Sequence, residues 1–437
     1  MRLTVMGLLA ASTIVACRKA PAEMVTAIAL PLGAGQSADP ALALDPENGD
    51  LLFSWIGGDS TDWALFFSRS ADSGKSWSAP ALVAAGKQVR PAGESSPRLI
   101  SAGQNRVALS WVGSIEVPGR KWPATVVQFA RSLDGGRNWS DPQTLNDDTT
   151  QAPAGHQFHG AAWSGDSGIV VAWLDERKGP ALAIHHMDLG GSTAGDMTDE
   201  PDAAIYLASS ENFGETWKPL NTNRWGQVCP CCRVTLARGP DGRVVSAWRK
   251  HYPGNIRDIV TASVDTGAGG EPARIHPDGW VYPGCPHTGP GLAVGANGDR
   301  HVAWYVGKEG DAGVFYQRVV AGMDSQPAPV PLVKARTLPT AHTTIAAIPG
   351  GGAAVAYDIT ASGDRGIGIS ILAPDGSVVA REMIAGSGGG SYPQVVSQDS
   401  RSALVAWTEL EGEKRTVRLS RIIFTAVLQK KNSSRKE

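Results

Sequence analysis

Ser132-Leu133-Asp134-Gly135-Gly136-Arg137-Asn138-Trp139 is the stretch on which the reading of this chain turns. A polar run with an aspartate, paired glycines and a closing tryptophan has the chemistry of a tight hairpin. The aspartate side chain can bond backbone N–H groups across the turn, glycine takes the positive-φ position, and the tryptophan covers the turn. The pattern recurs at Ser70-Ala71-Asp72-Ser73-Gly74-Lys75-Ser76-Trp77 and at Ser210-Glu211-Asn212-Phe213-Gly214-Glu215-Thr216-Trp217, where Asn replaces Asp. A worn fourth copy, Ser263-Val264-Asp265-Thr266-Gly267, lacks the tryptophan.

Outward from these turns, a second pattern sets the period. Alternating apolar runs lead into Ser54-Trp55, Ser110-Trp111, Ala172-Trp173, Ala247-Trp248, Ala303-Trp304, Ala356-Tyr357 and Ala406-Trp407, spaced 56, 62, 75, 56, 53 and 50 residues apart. A period near fifty with strand-type alternation predicts propeller blades, one four-stranded sheet per repeat. In the second repeat, Arg98 to Ser101 opens the inner strand, Arg106 to Trp111 follows, Val126 to Ser132 is the third, and a fourth lies near Gln143. The polar turns fall between third and fourth strands. The aromatic ending each second strand is expected to pack between blades, as core and not as a ligand platform.

Three good copies at blade spacing resemble the Asp-box, or BNR, repeat of the sialidase-like β-propellers, and the resemblance spans roughly residues 35–425. It implies an all-β fold, a single propeller of four-stranded blades over 35–428. It also implies that the boxes are structural and lie away from the active face, so Asp72 and Asp134 are not catalytic carboxylates. Sialidases have six blades. Seven units stand here, so seven blades are expected and six is the alternative. Either Val25 to Leu32 or Ile422 to Leu428 can supply the strand that closes the last blade.

Composition agrees with a turn-rich chain: 52 glycines and 29 prolines among 437 residues, with only 19% charged. A net charge of -2 gives no reason to expect nucleic acid as a partner. Residues 1–16 read as an export signal, with Arg2 before the apolar run Val5 to Ala16. Ile14-Val15-Ala16-Cys17 resembles the bacterial lipobox, which implies lipidation of Cys17; an ordinary signal peptide with a chance cysteine is the alternative. Residues 17–34 are then a tether and closing strand, and 429–437, with Lys430, Lys431, Arg435 and Lys436, a disordered basic tail. The expected protein is a monomeric lipoprotein held on a membrane outside the cytoplasm, periplasmic or at the cell surface.

The chemistry concentrates in Cys229-Pro230-Cys231-Cys232-Arg233 and Cys285-Pro286-His287. Cys229 and Cys285 each stand 19 residues before their blade tryptophans, Trp248 and Trp304. The two motifs therefore open the inner strands of adjacent blades, at the mouth of the central channel. The same ruler brings His156, His159, His342, Tyr392, Glu94, Arg98 and Asp39 to that ring. The loops after the second strands add Asp59, Asp62, Asp175, Glu176, Arg177, Arg249, His251, Arg257 and Asp258. Three readings of the cysteines stay open. Two disulfides are the default outside the cytoplasm. Thiolates with His287 suit Cu(I) or Zn(II). Closely spaced thiols also suit a redox dithiol.

A sialidase needs three arginines on the substrate carboxylate, an Asp acid/base and a Tyr–Glu nucleophile pair. The family's first arginine opens blade one, where this chain has Ser37-Ala38-Asp39-Pro40. Asp59, Asp62 and Tyr392 are the weak catalytic candidates. Arg233, Arg249, Arg257, Asp258 and Arg177 are the candidate ligand-binding residues for an anionic small molecule or glycan. The expected role is a non-hydrolytic binding or accessory protein. A sialidase-type hydrolase with an altered clamp is the alternative.

Overall fold

The computed structural model describes residues 18–19, 25–59, 62–117, 123–148, 154–177, 203–264, 271–323, 325–361 and 364–424. Residues 1–16, Cys17 and 429–437 lie outside the described residues, as does Asp265 of the fourth turn.

Alternating strands with one tight turn per hairpin produce seven separate sheets. Blade 1 takes Gln36–Leu44, Leu51–Gly58, Trp63–Ser70 and Ala81–Ala85. Blade 2 takes Arg98–Ser101, Val107–Ile115, Ala124–Ser132 and Gln143–Thr144, and blade 3 His156–Ser164, Gly168–Asp175, Ala204–Ser210 and Lys218–Trp225. Blade 4 takes Thr235–Arg238, Val244–Tyr252, Ile256–Ser263 and Ala273–Arg274, and blade 5 Gly291–Val294, Arg300–Val306, Ala312–Val319 and Val330–Ala335. Blade 6 takes Thr343–Ala347, Ala353–Ala361, Asp364–Leu372 and Val378–Met383, with Arg18–Lys19 pairing parallel at its edge. Blade 7 takes Gly390–Asp399, Ser402–Glu411 and Lys414–Ile423.

The first strand of each sheet touches the first strand of the next, and Gly390–Asp399 touches Gln36–Leu44. The sheets thus close around one axis, with seven blades and not six. Blade 7 is completed by Val25–Ala27, with Val25 opposite Ile422. Ile422 belongs to the third strand of that blade, so the N-terminal segment makes the closure.

Packing lies between blades. Trp55, Trp111, Trp173, Trp248, Trp304, Tyr357 and Trp407 are all buried on second strands. One apolar cluster joins Ala172, Leu174 and Leu207 of blade 3 to Val244, Trp248 and Val260 of blade 4, and also takes in Cys229, Cys231 and Cys232.

The polar turns have the geometry their composition demands. In blade 2, Asn138 N donates to Asp134 Oδ1 at 2.9 Å and Gly136 N to Ser132 Oγ at 2.8 Å, with Gly136 at φ +92°. Blades 1 and 3 repeat this through Asp72 and Asn212. Hydrogen bonds from Ser76 hold the Asp72 carboxyl down to about 2. Gly135 N donates to Asn105 O, and Phe213 N to Ser167 O, in the turns between first and second strands. The boxes therefore sit on the face opposite the inner-strand starts. Among the described residues no helix is long and apolar enough to cross a membrane.

Candidate functional site

The inner strand of blade 4 is split. Thr235–Arg238 pairs normally with Val244–Ala247. Further along the same edge, Cys229 N donates to Arg249 O at 3.0 Å, and His251 N to Gln227 O at 2.8 Å. Between these pairings residues 230–234 leave the ladder. Pro230 has no N–H to contribute to it. Cys232 N turns back toward Cys229 O, and Val234 N donates to Phe158 O of blade 3. The excursion folds Cys229, Cys231 and Cys232 onto one spot.

The lead-in to blade 5 crosses over the top of blade 4. Val281 pairs with Ile256, and Tyr282 N donates to Asn255 O at 3.0 Å. This carries Cys285 and His287 to the same spot. Cys229 Sγ lies 3.3 Å from Cys232 Sγ and 4.0 Å from Cys231 Sγ. Two donor sets result, Cys229/Cys231/Cys232 and Cys231/Cys285/His287, each with its ligand atoms within 4.8 Å of one another. The first is buried; Cys285 and His287 are part-exposed.

The expected disulfides are absent: all four cysteines are free thiols. A disulfide joins sulfurs at about 2.05 Å and needs one partner per sulfur. Here three sulfurs lie close together within one turn of chain, each within reach of the other two. These Cys/His groups could hold a metal ion.

Charge around the thiols is positive. Arg249 is fully buried and donates to three carbonyls, Thr288 O, Arg257 O and Tyr305 O, with its guanidinium 5.0 Å from the Trp280 ring. Arg257 is also fully buried. Its Nε donates to Tyr282 O at 3.2 Å, while Nη1 and Nη2 have no hydrogen-bond partner among the described residues. Burial pushes the Cys229 thiol up. Hydrogen bonds from Cys231 and Cys232 and the fields of Arg257 and Arg249 outweigh this and hold it well below the usual thiol range. Burial, then Cys229 itself, pushes Cys231 and Cys232 up.

The channel mouth is filled by protein. A single 3-10 turn, Gly93–Ser95, lies across it from blade 2. Asp39 Oδ2 of blade 1 accepts Ala92 N and Gly93 N, and Ser95 Oγ accepts Phe158 N of blade 3. Glu94 Oε2 meets Arg233 Nη1 of blade 4 at 2.5 Å, and Oε1 accepts Gly289 N ahead of blade 5. Tyr392 of blade 7 packs on Gly93, where a Cβ would come within 2.7 Å of its ring. Asp39, Phe158, His287 and Tyr392 all hold left-handed backbone, φ 50–55°, at the starts of inner strands. Strain of this kind persists where surrounding structure fixes it.

The remaining predicted residues are scattered around this centre. Arg233 is engaged by Glu94 and by the Pro290 and Thr343 carbonyls. Asp258 is buried, accepts Gly279 N and pairs with Arg274 at 3.3 Å. Arg177 pairs with Asp175 and Asp147 at the rim of blade 3. Asp59 and Asp62 are exposed in a turn where Asp62 N donates to Asp59 Oδ1. His342 is held between Asp358 at 2.8 Å and the His287 carbonyl at 3.1 Å, with Arg365 on Asp358. Sequence reasoning missed Asp358, Arg365 and Trp280. Asp358 directly follows the repeat aromatic Tyr357, the offset at which Arg249 follows Trp248, and could have been found that way; Arg365 and Trp280 fall at no motif.

No protein-family model matches the chain, and no curated protein matches it. Solved structures do match. A PL25 ulvan lyase bound to -[GlcA(1-4)Rha3S]- aligns with a TM-score of 0.54 at 12% identity, over 90% of this chain and 95% of that one. The fold is a seven-bladed β-propeller. A Trypanosoma rangeli sialidase in complex with sialic acid aligns at 0.49 and 11% identity, over 96% of this chain and 61% of that one. An intramolecular trans-sialidase from Ruminococcus gnavus aligns at 0.47 and 10% identity, over 90% of this chain and 95% of that one. Identities this low speak to fold, not to chemistry.

Proposed function

We propose that this protein is a lipid-anchored, extracytoplasmic propeller without hydrolytic activity that binds a soft metal ion, Cu(I) or Zn(II), through Cys229, Cys231, Cys232, Cys285 and His287. One observation carries the reading: five soft or borderline donors converge at one blade junction with no disulfide among them. Thiolate and imidazole donors select such ions over hard cations. Thiols this close together outside the cytoplasm would oxidise unless a ligand occupied them. Cys17 supplies the membrane anchor in this reading.

Glycan hydrolysis draws less support. Blade 1 opens without an arginine, Arg233 is already neutralised by Glu94, and Tyr392 is packed against the channel turn. The unpartnered N–H groups of Arg257 are better placed to face thiolates than an incoming glycan.

The test is competition. Reduced protein, kept anaerobic, is expected to withdraw Cu(I) from a chromophoric chelator, or Zn(II) from a zinc indicator. Cys231→Ser removes a donor from both sets and should lose this ability. Failure of the wild-type protein to withdraw either ion overturns the proposal. A parallel fluorogenic sialoside assay should show no turnover; robust turnover would restore the hydrolase reading.

A further inference from the structure

We infer that the cluster is built for a pair of Cu(I) ions bridged by the Cys231 thiolate. This rests on the soft-metal reading above and adds to it the number of ions and their oxidation state. Cys231 is the one donor common to the two sets. A single ion reaches thiolate sulfur at about 2.3 Å and imidazole nitrogen at about 2.0 Å, so each set can surround one ion. The donors divide into two three-ligand positions side by side. Neither position offers the closed four-ligand shell that structural Zn(II) takes.

Charge balance agrees with a Cu(I) pair and excludes a Zn(II) pair. Arg249 and Arg257 are fully buried and meet no carboxylate among the described residues. Buried charge is tolerated only when it is balanced. Four thiolates bring four negative charges; two Cu(I) ions and two guanidinium groups bring four positive ones. The loaded cluster is neutral. A pair of Zn(II) ions in its place would leave two uncompensated positive charges; a single Zn(II) would balance the thiolates equally, and it is the two three-donor positions sharing Cys231 that favour two ions over one. Arg257 Nη1 and Nη2 meet no acceptor among the described residues, which leaves its charge for the cluster to balance.

Loading requires no electron transfer. Each Cu(I) forms bonds to sulfur, each protonated thiol that becomes a ligand gives up its proton, and those protons leave on the part-exposed side, past Cys285 and His287. Arg257 acts here as a positioning residue, holding thiolate charge without touching the metal.

The experiment is anaerobic titration of the reduced protein with Cu(I), followed by gel filtration and counting copper per chain. X-ray absorption on the same samples reports metal–metal scattering. Two copper ions per chain with a copper–copper vector are expected for wild type. Cys285→Ser, at a part-exposed position, should drop to one ion and lose the vector. Arg257→Met should keep the fold by circular dichroism and weaken copper retention about tenfold or more, the effect expected of an outer-shell partner. One ion per wild-type chain would overturn the pair and leave the soft-metal reading standing. No bound ion would overturn both. Arg257→Met with wild-type retention would remove the charge argument.

Discussion

Glu94→Ala should destabilise the whole propeller. The Glu94 and Arg233 side chains are 4% and 7% exposed, and they meet at 2.5 Å in the channel mouth. Removing the carboxylate strands a buried guanidinium whose remaining partners are the Pro290 and Thr343 carbonyls. It also frees the Gly289 N–H. Breaking a buried pair from one side costs about 3–5 kcal/mol, because the surviving charge cannot neutralise. Replacing both members with apolar residues of similar volume is far milder. Equilibrium urea unfolding followed by tryptophan fluorescence therefore separates two variants. Glu94→Ala should lose about 3 kcal/mol or more, while Glu94→Leu combined with Arg233→Met should recover most of that loss. A single variant within about 0.5 kcal/mol of wild type would refute the reasoning, since that is the range of an ordinary surface change.

The His156 ring is fully buried between Asp148 at 2.9 Å and Asp175 at 3.2 Å. Burial pushes it down, but the hydrogen bonds it donates to both carboxylates prevail and raise it from 6.5 to about 9. A folded value above the unfolded one gives stability that is full below pH 6.5 and lost as pH rises through about 9. The shift corresponds to about 3 kcal/mol. Melting temperature measured from pH 6 to pH 10 should fall over that window in wild type and stay flatter in His156→Asn. Gly136→Ala places a Cβ within 2.0 Å of the Phe67 ring on left-handed backbone. It should lower stability by about 2 kcal/mol or more without changing copper binding. Trp248→Ala opens an inter-blade cavity against Trp225 and should cost about 3–5 kcal/mol in the same urea assay.

The propeller was legible because it repeats. Seven aromatic second-strand ends and three polar turns are local signals, each produced by alternation or by turn chemistry. Counting back from Trp248 and Trp304 put Cys229 and Cys285 in one neighbourhood, but it did not show that Cys229 joins the ladder of its own blade while Cys285 lies on a lead-in crossing blade 4. What repetition does not encode was lost. Blade closure by Val25–Ala27 is a pairing across nearly the whole chain length, and the sequence offered two candidates of equal merit. The channel turn Gly93–Ser95 departs from the repeat, so Glu94 appeared only as one member of a ring and its bond to Arg233 was invisible. The expected disulfides came from a general rule about compartments. The free thiols follow from a particular excursion of the chain, in which Pro230 interrupts a ladder and three sulfurs converge. Arg249 and Arg257 read as a pocket for an anion; in the fold they are fully buried, and Arg249 already donates to three carbonyls.

The most direct measurement of the central claim is the first coordination shell of copper in the loaded protein. X-ray absorption at the copper edge should give a shell dominated by sulfur with a lesser imidazole contribution, collapsing in Cys231→Ser. A shell of nitrogen and oxygen alone, unchanged by that substitution, would place any bound copper elsewhere and contradict the assignment of this cluster as a metal site.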